Sequence, residues 1–294
     1  MFDDFYFVVE NPFLLKRKGE NISIDPSKIC VLQSILRSYN NKNKCFSNHF
    51  PEVFRKVKKL MIDSGGYNIL KMYPDYPFSV REYHNQLEII KPDYGVCMDY
   101  NTAALIEIIG DKYKDRLPYM KRTIDQFLLQ YDMDRSYGLV IPIQGNTIDE
   151  KLEFVDILGE RIDLKKIEYW GVGGGGITGM DNNSQDHFLD IRRSLCIYLN
   201  DKFNNPKIHI FGGNITFIKD VVKKNFDFTS VDTWSWGIPM KKGRTFDENL
   251  ESIMIRKSGL TMTEAKQRCM LKYVQEIEKY KNILLMTDNI NKLI

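Results

Sequence analysis

Residues 58–68 read Lys-Lys-Leu-Met-Ile-Asp-Ser-Gly-Gly-Tyr-Asn, and the interpretation of this stretch decides the fold assigned to the whole chain. The apolar run from Leu60 to Ile62 predicts a buried strand, which ends at the carboxylate of Asp63. The two glycines that follow allow a tight turn and let a ligand approach the main chain. A strand followed by a turn that Asp and Ser cap is the simpler alternative. The same pattern recurs along the chain, and this recurrence favours a functional interpretation.

The length and composition are those of a soluble globular protein. The chain has 294 residues, of which 43% are hydrophobic and 28% charged, so it can form one large domain or two ordinary ones. No apolar run approaches the ~20 residues that a membrane span needs. The N-terminal sequence Met-Phe-Asp-Asp is acidic, whereas a secretory signal begins with basic residues. We therefore expect a cytoplasmic protein with no membrane partner.

Cysteine and histidine show no metal-binding pattern. The five cysteines are scattered without a Cys-x-x-Cys pair, and the four histidines are equally dispersed. We therefore predict neither a metal site nor a disulfide framework. The net charge of +3 is too small to prove a nucleic-acid partner, yet basic residues can still cluster on one face.

Strand-like runs alternate with helix-like segments along most of the chain. Eight such runs with helices between most of them predict a single (β/α)8 TIM-type barrel, an α/β fold of about 250 residues. The predicted domain spans residues 1–294, and its segment 245–294 is a largely helical C-terminal extension. The predicted strands are 5–9, 29–32, 58–62, 94–98, 137–143, 167–170, 208–211 and 228–231, and the predicted helices are 80–90, 102–109, 119–131, 148–158, 188–199 and 215–224.

Polar residues follow several of the predicted strands. In a barrel of this type the reactive groups lie at the carboxyl ends of the strands. Any one aspartate at such a position is often only a helix N-cap, but three at successive strand ends favour a site. Two carboxylates that flank a sugar carbon can break a glycosidic bond with retention, one as nucleophile and one as acid/base. The residues expected at this rim are Asp63, Asp99, Gln144, Gly171 to Gly176, Gly212, Gly213 and Asp232.

A glycine-rich run offers a different interpretation. Gly171, Gly173 and Gly176 formally match a dinucleotide-binding fingerprint after a strand. The match carries little weight, because it arises readily among so many glycines and no helix start follows at once. Asp190 has a tolerable spacing for a ribose-binding acid, but it lies within a helical pattern. A nucleotide cofactor is the less favoured alternative, and we predict that the protein has no cofactor.

The order and spacing of these motifs resemble the tRNA-guanine transglycosylase superfamily over about residues 58–244. The most specific part of the resemblance is the Asp-Ser-Gly-Gly-Tyr sequence of residues 63–67. Enzymes of this superfamily are (β/α)8 barrels that exchange a guanine base in a nucleic acid for a 7-deazaguanine through a covalent sugar-aspartate intermediate. The resemblance implies that Asp232 is the nucleophile. It also implies that Asp63 is the acid/base that handles the proton of the departing and arriving bases.

The resemblance further implies a set of residues that bind the base. Asp99 and Gln144 match residues that read the purine edge, and Gly171 matches a backbone donor to the base carbonyl. Tyr67 and Phe211 match the two side chains that sandwich the flat base, as aromatic faces do for a flipped nucleobase. The complete predicted substrate-binding set is Ser64, Tyr67, Asp99, Gln144, Gly171, Phe211 and Gly212.

Two departures from the family pattern point to its DNA-directed branch. The tRNA enzymes carry a Cys-x-Cys-x-x-Cys zinc cluster after the nucleophile, whereas this chain has only Cys269 in that region. Residues 233–236 read Thr-Trp-Ser-Trp, where the tRNA enzymes have Pro-Thr-Arg. The shorter form resembles the deoxypurine-in-DNA protein A group, which places a 7-deazaguanine in DNA and occurs in phages and bacterial modification islands. A phage-encoded member acts in the host cytoplasm.

This branch implies DNA and a 7-deazaguanine base, preQ0 or a derivative, as partners. A homodimer or partner modification proteins remain open alternatives. A tRNA-guanine transglycosylase keeps the chemistry with another polymer, and a non-catalytic barrel subunit that binds nucleic acid is a third interpretation. The three strand-end aspartates favour activity.

A basic and aromatic cluster follows the predicted nucleophile. Trp234, Lys241, Lys242 and Arg244 are the candidate nucleic-acid-binding residues, since basic groups hold phosphates and a tryptophan can wedge into extruded DNA. A solvated surface is an equally good interpretation of the basic residues, and packing at the barrel top is slightly better for the tryptophans. His209 lies within a predicted strand, and we expect a satisfied core residue there.

Overall fold

Eight parallel strands close into a barrel in the computed structural model, which describes residues 4–9, 24–102, 116–173, 182–204, 206–213, 215–224 and 226–291. The strands in chain order are β1 (Asp4–Val8), β2 (Cys30–Ser34), β3 (Tyr39–Asn40), β4 (Cys45–Phe46), β5 (Lys59–Asp63), β6 (Tyr94–Val96), β7 (Gly138–Ile143), β8 (Tyr169–Val172), β9 (Ile208–Ile210), β10 (Ser230–Thr233), β11 (Arg244–Phe246) and β12 (Ser252–Met254).

The barrel strands follow one another in chain order, and this order confirms the predicted eight-stranded α/β barrel. The order around the barrel is β1, β2, β5, β6, β7, β8, β9 and β10, after which β10 pairs with β1. Every neighbouring pair is parallel, so all eight carboxyl ends lie at one rim. Each predicted strand overlaps an observed one, with ends that differ by one to a few residues.

Helices connect several of the barrel strands. Helix α2 (Val80–Ile90) has the bounds that the sequence predicts, and its capping box of Ser79 with Glu82 explains where it begins. Most of the predicted helix 102–109 falls outside the described residues. The helices are α1 (Gly66–Met72), α2 (Val80–Ile90), α3 (Leu117–Tyr131), α4 (Ile148–Gly159), α5 (Asn182–Lys202), α6 (Ile215–Lys224), α7 (Ile238–Lys241), α8 (Ile255–Ser258) and α9 (Met262–Asn291).

The core has two layers because strand side chains alternate between the faces of the barrel wall. An inner cluster fills the barrel with side chains such as Tyr6, Met61, Val140 and Tyr169. A larger outer cluster joins the other face of the strands to residues of the helices. A residue that lies two positions after an inner-cluster residue, towards the carboxyl end of its strand, therefore points into the barrel mouth.

The C-terminal region differs in part from the prediction for residues 245–294. Helix α9 covers 30 residues of it, but an antiparallel hairpin of β11 and β12 precedes that helix. The Asp247 carboxylate accepts hydrogen bonds from the backbone N–H groups of Asn249 and Glu251, and these bonds stabilise the hairpin turn. Within the part of the chain that the structure describes, no helix combines the length and apolarity that crossing a bilayer requires.

Candidate active site

A cavity of about 320 Å³ opens at the rim where the barrel strands end. Its volume lies at the lower end of the range for small-molecule sites. Most of the residues that the sequence singles out as catalytic or substrate-binding contribute to its wall. The predicted residues in the lining are Asp63, Tyr67, Asp99, Gln144, Phe211, Gly212 and Asp232, and further lining comes from Val8, Leu32, Gly66, Val96, Asn101, Thr102, Pro142, Ile143, Gly145, Lys151 and Gly173.

Asp63 is the last residue of β5. It lies two residues after the inward-facing Met61 and therefore faces the same way. Its Oδ2 atom accepts a hydrogen bond of 2.9 Å from the backbone N–H of Gly65. Burial, followed by the charges of Asp99 and Asp232, raises the pKa of this carboxyl to about 7. Asp63 can therefore both donate and accept a proton near neutral pH, which is the property of a general acid/base.

Asp99 lies three residues beyond Val96, the last residue of β6, and its carboxylate accepts a hydrogen bond at each oxygen. Oδ1 accepts a hydrogen bond of 2.8 Å from Ser64 Oγ, and Oδ2 accepts one of 2.9 Å from Gln144 Nε2. Burial raises the pKa of Asp99 to about 6, although the hydrogen bonds from Ser64 and Gln144 lower it. A partly desolvated carboxylate in the cavity wall is suited to accept hydrogen bonds from a ligand.

Each of the two glycines in the Asp-Ser-Gly-Gly-Tyr motif is required for a different structural reason. Gly65 has a φ of 79°, a left-handed backbone angle that favours glycine. A Cβ atom on Gly66 would lie 2.2 Å from Asp99 Oδ1, so any side chain there would displace this carboxylate. The motif thus allows the first residue of α1 to pack directly against the Asp99 carboxylate. The spacing of the motifs in the sequence does not show this contact.

Asp232 lies in β10, and a hydrogen-bond network fixes one of its oxygens. Oδ1 accepts a hydrogen bond of 3.0 Å from the backbone N–H of Gly212 and lies 3.1 Å from Nε2 of His209. Nδ1 of the same histidine lies 2.6 Å from Ser230 Oγ, which lies 2.7 Å from the Tyr169 hydroxyl. Within the described residues, Oδ2 has no hydrogen-bond partner. The network therefore leaves one carboxylate oxygen available for a reaction in the cavity.

His209 has a closer relation to the site than the sequence indicates. Its side chain is fully buried and hydrogen-bonded at both nitrogens, as expected for a satisfied core residue. One of these contacts is to the predicted nucleophile, so the histidine also positions Asp232. The sequence indicated that His209 faces the barrel interior, because it lies two residues before Phe211 and strand side chains alternate between the two faces.

The two predicted base-sandwiching rings, Tyr67 and Phe211, both line the cavity. The Tyr67 hydroxyl accepts a hydrogen bond of 2.6 Å from Lys71 Nζ. The Phe211 ring packs edge-on against His209, with 4.5 Å between the ring centroids. That these two rings lie on opposite faces of a bound base remains a prediction.

Ser64 and Gly171, which were predicted to bind the substrate, do not line the cavity. Ser64 is fully buried behind Asp99 and does not contribute to the cavity lining, so it orients that carboxylate instead. Gly171 lies inside β8, where a Cβ atom would approach Phe211 Cε2 to 2.6 Å. This glycine makes room for the Phe211 ring. Gly173, two residues later on the same face, lines the cavity in its place.

The predicted nucleic-acid-binding residues lie outside the cavity lining. Lys241 Nζ lies 4.3 Å from the centroid of the Trp234 ring, and Lys242 is exposed. Arg244 donates hydrogen bonds to Oγ and the carbonyl oxygen of Ser252, so its guanidinium stabilises the hairpin of β11 and β12. The nearby Trp236 donates from Nε1 to the carbonyl oxygen of Val8 and packs at the barrel top, as preferred from sequence. Lys241 and Lys242 are therefore the better phosphate-binding candidates.

Lys151 is a cavity residue that the sequence interpretation missed. Its side chain is only 2% exposed, although it carries an amine. The buried positions of α4 are Lys151, Phe154, Val155 and Leu158, which is the spacing of one helix face. A lysine at an apolar position of this face was the available signal.

The cavity thus combines three carboxylates from three strand ends with two aromatic rings and one buried amine. Among the described residues, no group of three or more histidine, cysteine, aspartate or glutamate side chains is arranged to hold a metal ion. Comparison with models of known protein families gives no match for this chain, and comparison with curated proteins also gives none.

Proposed function

We propose that this protein is a DNA-guanine transglycosylase of the TIM-barrel type, which exchanges guanine in DNA for a 7-deazaguanine base. The observation that supports the proposal is the grouping of Asp63, Asp99 and Asp232 with two aromatic rings in one base-sized cavity. A flat purine needs stacking faces and edge acceptors, and glycosidic bond exchange needs a nucleophile and an acid/base. The cavity holds candidates for each of these roles.

The first half-reaction uses Asp232 as nucleophile. Its Oδ2 atom attacks C1′ of the target deoxyribose, and the bond between C1′ and N9 of guanine breaks with its electron pair leaving on the base. Asp63 supplies the proton that neutralises the departing base. The product is a covalent sugar-aspartate ester, which keeps the strand attached while the bases exchange.

The second half-reaction reverses these roles. The ionised Asp63 removes the N9 proton of the incoming 7-deazaguanine, and the N9 electron pair attacks C1′ and displaces Asp232. A carboxyl with a pKa of about 7 suits both directions, because its two protonation states are similarly populated near neutral pH. The N–H of Gly212 stabilises the aspartate as it regains its charge.

Asp99 is the proposed reader of the purine edge. A carboxylate can accept hydrogen bonds from the amino group and the ring N–H of a guanine-like base at the same time. Gln144 Nε2 donates to Asp99 while its Oε1 atom accepts from the N–H of Thr102. Gln144 therefore orients Asp99. Its Nε2 atom also makes a long contact of 3.4 Å with the Pro142 carbonyl oxygen, and the proposed contact to the base carbonyl replaces this one.

The choice of DNA as polymer rests on the sequence resemblance. Lys241 and Lys242, which follow the nucleophile in the chain, are the residues proposed to contact the backbone phosphates. A base reaches the cavity only after extrusion from its stack, which costs a few kcal/mol in duplex DNA. Contacts to the backbone phosphates have to offset this cost.

The experiment that tests the proposal incubates the purified protein with duplex DNA, single-stranded DNA or tRNA and with isotopically labelled 7-deazaguanines. Nucleoside mass spectrometry then identifies the polymer that gained the label. The matched variant is Asp232→Asn, which keeps the size of the side chain but cannot form the ester. We expect label in DNA with the wild-type protein and none with the variant.

Each alternative has its own outcome in this experiment. Label in tRNA alone would replace the DNA proposal with a tRNA transglycosylase. Absence of label in every polymer, together with retained DNA binding, would favour a non-catalytic subunit. Normal label incorporation by Asp232→Asn would refute the assignment of the nucleophile.

A further inference from the structure

Lys151 projects from the first turn of α4 into the wall of the cavity. Helix α4 begins at the capping box of Thr147 and Glu150, only a few residues after Gln144. The Lys151 Nζ atom lies 3.4 Å from the carbonyl oxygen of Ile143, the residue that precedes Gln144. The amine therefore lies beside the end of β7, at the residue that precedes Gln144.

This amine has no dedicated counter-ion among the described residues. Its contact with the Ile143 carbonyl oxygen is long for a hydrogen bond to an ammonium. The neighbouring Glu150 is already used, since its carboxylate pairs with Arg116 and accepts from the N–H groups of Asn146 and Thr147. Keeping this amine protonated without a counter-ion is costly in free energy, and a ligand acceptor at the cavity wall would offset that cost.

The charged groups that shift the pKa of Lys151 are Arg192 and Glu150, and Arg192 in turn interacts with Asp232. Burial and the positive charge of Arg192 lower the pKa of Lys151 to about 7, and Glu150 raises it. The pKa of Asp63, in contrast, responds to Asp99 and Asp232. The cavity thus has an acidic group of residues that suits hydrogen-bond donors and a separate amine that suits an acceptor.

We propose that Lys151 selects the incoming base by its 7-substituent, binding a neutral or anionic hydrogen-bond acceptor there and excluding a cationic aminomethyl group. This inference rests on the proposed function. In a 7-deazaguanine the 7-substituent lies next to the base carbonyl, the group assigned to Gln144. A base that places its amino edge on Asp99 and its carbonyl at Gln144 directs that substituent along the wall where Lys151 lies.

The physical basis of this selection is the low polarity of the site. An ammonium that hydrogen-bonds a carboxylate or nitrile replaces the water that burial has removed. A second ammonium beside it would be repelled and would also remain desolvated. Lys151 therefore discriminates between the substituents in two ways: it attracts a carboxylate or nitrile, and it repels an aminomethyl ammonium.

The test is calorimetric binding of three free bases, 7-carboxy-, 7-cyano- and 7-aminomethyl-7-deazaguanine, to the full-length protein. The measured quantity is the Kd of the aminomethyl base divided by that of each other base. For wild type we expect a ratio of about 10 or more, and for Lys151→Met a ratio at least about tenfold lower. Lys121→Met, which removes an exposed lysine of α3, should leave the ratio unchanged. Circular dichroism checks that each variant is folded.

The outcomes separate this inference from the proposed function. Equal affinity of wild-type protein for all three bases would overturn the role of Lys151 without the need for any variant. An unchanged ratio in folded Lys151→Met would do the same, while base exchange in the labelling assay would leave the transglycosylase proposal standing. Absence of binding by every base would overturn both proposals. Asp99→Ala should weaken all three bases alike, because it removes the shared edge contact.

Discussion

Replacement of Asp63 by asparagine should stabilise the folded protein at neutral and alkaline pH while it abolishes base exchange. The wild-type carboxyl is destabilising when it is ionised, because it is largely desolvated and lies near the charges of Asp99 and Asp232. Asparagine has nearly the same shape and can still accept the hydrogen bond from the N–H of Gly65. The substitution therefore removes the charge and keeps the turn.

The sign and size of the effect follow from the pKa of about 7 in the folded chain. The value in the unfolded chain is about 3.9, so the unfolded state ionises first and the folded state loses stability as the pH rises from about 4 to 7. From proton linkage, ionisation of Asp63 lowers the free energy of unfolding by about 4 kcal/mol at about pH 8, about 2 kcal/mol at pH 5.5 and about 0.5 kcal/mol at pH 4. The asparagine variant does not lose this stability. Because part of the carboxylate faces the cavity, water there reduces these figures, and we expect about 2–4 kcal/mol at pH 8.

Urea denaturation of wild type and Asp63→Asn between pH 4 and pH 8 measures this difference directly. Asp134→Asn, which removes an exposed carboxylate, is the matched control. We expect the stability gain of Asp63→Asn to grow with pH and base exchange to be lost at every pH. A gain that does not vary with pH, or a loss of stability at pH 8, would refute the picture of Asp63 as a desolvated acid near like charges.

Two further predictions concern the nucleophile and the DNA contacts. His209→Leu should lower the rate of exchange at saturating substrates by about 10- to 100-fold, since Asp232 then loses its contact with His209 Nε2, whereas His209→Gln can still donate and should retain more activity. Turnover numbers and melting temperatures of both variants check this, and equal turnover in wild type and His209→Leu would contradict it. DNA binding should weaken steeply with salt, and replacing Lys241 and Lys242 together by glutamine should reduce the slope of log Kd against log salt by about 2. Fluorescence anisotropy over a salt series measures the slope, and an unchanged slope would assign the phosphate contacts to other residues.

Local sequence pattern was sufficient for the barrel and for the positions of the acids. Each strand has its own apolar run, and the side-chain alternation of a strand fixes which residues face inward. Because all parallel strands end at one rim, Asp63, Asp99 and Asp232 were expected in one cavity before any contact was known. The hairpin of β11 and β12 was not predicted, since strands of three residues leave too short a pattern to recognise.

The sequence by itself determined the strand order, the inward face of each strand and the acidic residues of the mouth, because these depend on periodicity within a few residues. Only the tertiary structure decided which groups stand behind those acids. His209 contacts Asp232 from the neighbouring strand, Ser64 contacts Asp99 across 35 positions of the chain, and Lys151 reaches the cavity from the buried face of a helix. Local pattern indicates which face of its element each of these side chains occupies, but the packing of strand against strand and helix against barrel decides which group it contacts. The same packing desolvates Asp63 and Lys151 and moves the pKa of each to about 7.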